Sequence, residues 1–140
     1  IITDEKKSSH NQCGSLLYYL KKKVKLKTEY LRIERRFIHN LPNFAIYIFL
    51  IVSSFFKKIN NQGADIIISC GRITAPYSLI FKKLNKNCKI IHILDPYCFR
   101  NRFDKILIPS HDFSKFSNNR NVLEFLGTFV SKRKLVASGP

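Results

Sequence analysis

The chain has 140 residues, 45% of them hydrophobic and 24% charged, with only five glycines and five prolines. That is enough for one domain with its own core, and it excludes a disordered chain. Twenty-five Lys and Arg against nine Asp and Glu leave a formal net charge of +16, a field that favours acidic partners such as nucleic acid, anionic lipid or phosphorylated substrates. The basic residues are spread along the chain, apart from Lys21–Lys23 and Lys132–Lys134, and no Arg/Gly or aromatic-interleaved pattern accompanies them. No specific nucleic-acid binding is therefore expected. Lys, Ile and Asn are abundant together, so a coding bias is a competing source of the charge.

In chain order, Ile1-Ile2-Thr3 reads as the tail of a strand, without an initiating methionine, and Asp4 to His10 as a polar loop. Asn11 to Lys22 carries Leu16, Leu17 and Leu20 at helical spacing. Thr28 to Ile33 alternates as a strand near a sheet edge does. A long helix is expected from Asn43 to Asn60. Within it, Phe44 to Phe56 is nearly all apolar and is followed by Lys57-Lys58. That stretch makes about 20 Å of helix, short of the roughly 30 Å hydrocarbon core of a bilayer. A core helix packed against a sheet is expected, with docking on a membrane surface as the alternative.

Further on, Asp65–Ser69 reads as a strand, Ala75–Leu84 as a helix, and Lys89–Leu94, Lys105–Ile108 and Val122–Phe125 as strands. Short strands alternating with helices predict an α/β fold, a Rossmann-like parallel sheet with helices on both faces. The link from Leu94 to Lys105 is close to the minimum for a parallel crossover and must be compact and irregular.

The turn Ser69–Pro76 is the most informative stretch. A buried strand breaks at Gly71, presents Arg72, and opens a helix with Thr74 as a possible cap and Pro76 in the first turn. Open α/β sheets place ligands at such turns. The N–H groups near Gly71, with Arg72 beside them, suit an anionic or hydroxyl-rich ligand; a tight turn with a solvated arginine is the plainer reading. In a parallel sheet the loops after the strands share one edge. That edge gathers Asp4, Lys6, Asn11, Gln12, Arg72, Asp95, His111 and Asp112 around a single crevice. Cys13, Cys70, Cys88 and Cys98 show no zinc-like spacing, so free, mostly buried thiols are expected and no metal site is predicted.

Several motifs occur in one order: Cys-Gly-Arg-x-Thr-Ala-Pro (Cys70–Pro76), Asp95-Pro96, Phe103-Asp104 with Pro109 and His111-Asp112, Asn121-Val122, and Leu126-Gly127. The set resembles the mitochondrial-fission Elm-type family, whose bacterial members are described as glycosyltransferases of the two-domain GT-B type. Thr3-Asp4 and Asn11-Gln12 match the start of that family's pattern. Glu5 stands where a glycine is usual, Ser8-Ser9 where Gly-His is usual, and Leu94 near a common Gln.

The resemblance implies that residues 1–130 are the amino-terminal, acceptor-side Rossmann-like domain of a two-domain protein, and that residues 131–140 begin the interdomain linker. The carboxyl-terminal half would hold most of a nucleoside-diphosphate sugar donor, with no bound metal or cofactor. It also implies sugar transfer to a cell-envelope acceptor, free or lipid-linked, by a cytoplasmic protein, peripheral on the inner face of a bacterial membrane. Asp4 or Asp112 would act as general base, with His111 competing. Lys6, Asn11, Gln12, Gly71, Arg72, Thr74 and Asp95 would contact substrate. The rival is a non-enzymatic scaffold that recruits partners at an anionic membrane surface.

Overall fold

The computed structural model describes residues 1–53, 63–116 and 118–125. Leu126-Gly127 and the expected linker lie outside them. Six strands, β1 (Ile2–Thr3), β2 (Leu31–Arg32), β3 (Ile66–Cys70), β4 (Lys89–Ile93), β5 (Lys105–Pro109) and β6 (Val122–Phe125), form one sheet in the order β2-β1-β3-β4-β5-β6. Every pairing is parallel. In the centre the register runs from Ile66 opposite Lys89 to Cys70 opposite Ile93. Among the described residues the α-helices are α1 (Lys7–Lys21), α2 (Asn43–Val52), α3 (Ala75–Leu84) and the single turn α4 (Ser110–Phe113).

The apolar runs of the central strands split by alternation. Ile67, Ile90, Ile106 and Ile108 belong to the larger core with Ile46 and Leu50 of α2 and Leu79 and Ile80 of α3. Ile68, Cys70, Ile93 and Leu107 belong to a smaller core with Cys13 of α1. Both sheet faces are apolar because helices cover both, as a parallel sheet requires. On the smaller-core side β6 leaves Leu123 exposed.

Two expected boundaries shift. α1 begins at Lys7, not Asn11, because the Asp4 carboxylate accepts the Lys6 N–H at 2.9 Å and turns the chain at once. Ser9 and Cys13 are then buried one helical turn apart. α2 ends at Val52, where Ser53 is extended; most of the remainder of the expected helix lies outside the described residues. The core reading of α2 holds for one side. Ile46, Tyr47 and Leu50 are buried, and α2 packs along α3, whereas Phe44, Ile48, Phe49 and Val52 face solvent. Among the described residues no helix is long and apolar enough to cross a membrane.

The β4–β5 link is as compact as expected. It closes through a 3₁₀ turn at Arg100–Arg102 and three non-glycine residues of positive φ, Leu94 (77°), Tyr97 (56°) and Phe99 (39°). Thr74 does not cap α3. Its hydroxyl donates back to the Cys70 and Gly71 carbonyls, both at 3.0 Å, and it is fully buried. Pro76 does occupy the first turn.

Candidate functional site: a cleft at the switch point

From β1 the chain steps outward to β2, then returns past β1 to β3. The crossovers on either side of the β1/β3 boundary therefore run in opposite directions, and the loops that leave these strands part. Ligands of open α/β sheets sit in the crevice this creates, beyond the carboxyl ends of the strands. A cleft of about 580 Å³ opens there. Asp4 and Lys6 after β1, Gln12 of α1, Gly71 and Arg72 after β3, Asp95 after β4 and Asp112 after β5 all line it. Of the sequence candidates, Asn11, Thr74 and His111 do not. Asn11 lies inside α1, where its carbonyl accepts the Ser15 hydroxyl. Thr74 is buried beneath the turn, and His111 points to solvent beside Asp112 at 3.3 Å.

Asp4 is the buried carboxylate of the cleft, only 6% exposed. Its Oδ1 is held by the Lys6 N–H. Its Oδ2 lies against Gly71: a Cβ on that residue would stand 3.3 Å from Oδ2 and 3.5 Å from the Ser9 hydroxyl. Gly71 has φ +92°, so the turn and the approach of the carboxylate both need a residue without a side chain. The Gly71 N–H is already given to the Ile93 carbonyl at 3.2 Å. It is therefore not a ligand donor, contrary to the expectation for this turn.

Arg72 lines the cleft, but its guanidinium is engaged by other parts of the chain. Its guanidinium donates to the carbonyls of His39 and Leu41 and to Asn43 Oδ1, which ties the β3 turn to the chain entering α2. Asn43 completes the tie, with Nδ2 donating to the Arg72 carbonyl at 2.8 Å and to the Pro96 carbonyl at 2.6 Å. Sequence reasoning missed Asn43. A polar residue at the first position of an otherwise apolar helix was the signal available. His39 lies beneath this tie, accepting the Arg36 N–H on Nδ1 and meeting the Tyr77 hydroxyl at Nε2. Burial, then the positive charge of Arg72, Arg35 and Arg36, lowers its pKa.

Asp95 is likewise engaged. It caps the Tyr97 N–H and forms a two-pronged pair with Arg100 at 3.1 and 2.8 Å. That bond raises the Arg100 pKa and shapes the β4–β5 link. Asp112 pairs with His111 and Lys115 at the rim. Gln12 differs: its Oε1 is buried with no hydrogen-bond partner among the described residues. An acceptor of this kind on a cleft wall fits a ligand hydroxyl or N–H. Beneath the floor, Cys13 and Cys70 share a hydrogen bond, which together with burial pushes the Cys13 thiol up. All four cysteines are free and buried.

Fold and cleft together define the class: a Rossmann-like α/β protein with a cleft at the sheet's switch point. The family model for mitochondrial fission ELM1 matches residues 9–135, and the chain belongs to that family. The match begins at Ser9, just after the Asp4 turn. The chain is also 31% identical over 116 residues to RP120, an uncharacterized protein of Rickettsia prowazekii (strain Madrid E). That similarity covers 81% of this chain and 32% of the relative, so the chain spans less than half of the relative's length. No solved structure matches the chain.

Proposed function

We propose that this chain is the acceptor-side half of a nucleotide-sugar-dependent glycosyltransferase of the two-domain GT-B kind, acting on a cell-envelope acceptor. The observation that carries this reading is Asp4: a buried carboxylate at the end of β1, on the floor of the switch-point cleft, with one oxygen fixed by backbone and the other facing the Gly71 turn. Family membership supports it. In the proposed step Asp4 takes the proton of an acceptor hydroxyl as that oxygen attacks the anomeric carbon. The bond from that carbon to the nucleoside diphosphate breaks, and the diphosphate leaves with the electron pair. Gln12 Oε1 accepts a second acceptor hydroxyl, and the Lys6 ammonium offsets phosphate charge at the cleft mouth.

Asp4 is preferred to Asp112 and His111 because the latter pair is exposed and mutually engaged at the rim. Arg72 and Asp95 act as positioning residues, shaping the cleft through the contacts described above. In the full-length protein, Asp4→Asn should reduce turnover by about 10²–10⁴-fold while nucleotide-sugar binding persists. Unchanged turnover would remove Asp4 as the base. The donor would be held mainly by a second domain, so the isolated 140-residue chain should show no sugar transfer.

A second reading, a non-enzymatic scaffold at a membrane surface, is favoured by the solvent-facing apolar side of α2. Nucleotide-sugar binding by the full-length protein, measured by calorimetry, separates the two. Saturable binding supports the transferase, and its absence supports the scaffold.

A further inference from the structure

α2 is apolar around its whole circumference, which ordinarily marks a helix buried on every side. Here only one side is buried. Phe44, Ile48 and Val52 recur at four-residue steps, so they stand in one row, with Phe49 beside them; all are more than half exposed, Val52 to 81%. The 3₁₀ turn Phe37–Asn40, which packs against α2, adds Phe37, 90% exposed, and Leu41 follows it. This row of large apolar side chains offers no hydrogen-bonding group.

From these residues we propose that the row is a docking surface for an anionic lipid bilayer, on which α2 lies in the interfacial plane. Three observations favour lipid over other occupants. Between Glu34 and Asp65 the sequence holds no acidic residue, and the exposed Arg36 directly precedes Phe37 of the row, so a basic side chain and no carboxylate adjoins the apolar ones in the chain, as suits an interfacial helix. A second copy of the chain would bring another +16 against the same face, which opposes self-association. The ten-residue α2 spans about 15 Å, too short to cross a bilayer, but enough to lay three turns of apolar side chains at the headgroup boundary. Docking does not depend on the transferase reading.

The test is co-sedimentation of the full-length protein with vesicles of phosphatidylcholine alone or with about 30% phosphatidylglycerol. Binding should require the anionic lipid and weaken as salt is raised. Phe44→Ser/Ile48→Ser should lower the partition coefficient more than tenfold, and Arg36→Gln by about fivefold. Because these side chains are exposed and do not line the cleft, both variants should keep the wild-type circular dichroism and any nucleotide-sugar binding. Failure to sediment, or sedimentation indifferent to the α2 variant, overturns the proposal. If the α2 variant instead converts a dimer to a monomer, or lowers the melting temperature with vesicle binding intact, the row covers a protein surface and the proposal also fails.

Discussion

At the residue scale, Gly71 carries two demands at once, a left-handed backbone and room for the Asp4 carboxylate. Gly71→Ala should cost about 1–2 kcal/mol from the backbone alone, read by urea denaturation, and should displace Asp4. Asn43→Ala removes the side-chain donor of the Pro96 carbonyl and leaves the Arg72 carbonyl only the Ala75 N–H at 3.4 Å, a loss of about 1–3 kcal/mol. Neither effect follows from local sequence. The Asn43 bonds join residues 29 and 53 positions apart, and the Arg72 contacts reach back 31 and 33. No periodicity records such pairings. Hence the crevice and the lining residues Asp4, Lys6, Gln12, Gly71, Arg72, Asp95 and Asp112 were legible, whereas the engagement of Arg72 and Asp95 by other parts of the chain was not.

His92 shows the same limit. It sits in the middle of β4, fully buried, bonded through Nδ1 to Ser69 at 2.7 Å, with Nε2 unpartnered among the described residues. Burial lowers its pKa from 6.5 to about 3. The folded state thus resists a proton that the unfolded chain accepts, and stability falls as pH drops from about 6.5 towards 3, by roughly 1.4 kcal/mol per unit. The double variant Ser69→Ala/His92→Phe removes the pair together and should flatten that slope in denaturation series between pH 6 and 4.

At the element scale, strands and helices were readable because parallel strands are apolar on both faces and stand out as short continuous runs. Val122–Phe125 and Ala75–Leu84 fall where the pattern puts them. Where α1 begins was not readable, since a side-chain-to-backbone bond from Asp4 sets it. α3 is fastened to the sheet by Asp104, which takes Lys82 Nζ and the Ile90 N–H, each at 2.7 Å. Burial alone would raise the Asp104 pKa, but these bonds and the charges of Lys82 and Lys89 outweigh it and hold the carboxyl low. Its contribution is present above the ordinary carboxylate range and is lost below it, a more acidic window than that of His92. Asp104→Asn should lower the melting temperature at pH 7 and have little effect at pH 2.

For the whole molecule, the uneven charge sets the solution behaviour. A chain with 25 basic and nine acidic residues repels itself when compact. Raising salt from about 20 to 300 mM should therefore raise the melting temperature, while the same change weakens attachment to anionic vesicles. Opposite responses to one variable distinguish relief of internal repulsion from loss of an external attraction. Composition made this tension visible from the outset; which face carries the apolar row needed the fold.

Asn43 and Phe44 are adjacent in the chain, about 100° apart around α2, one pinning the loops of the cleft and the other exposed. α2 thus joins the exposed row to the loops that line the cleft. A surface that seats Phe44 would sit one residue from the bonds that hold the Arg72 and Pro96 loops. If seating changes the cleft's affinity for its ligand by some factor, the ligand must change the affinity for the surface by the same factor.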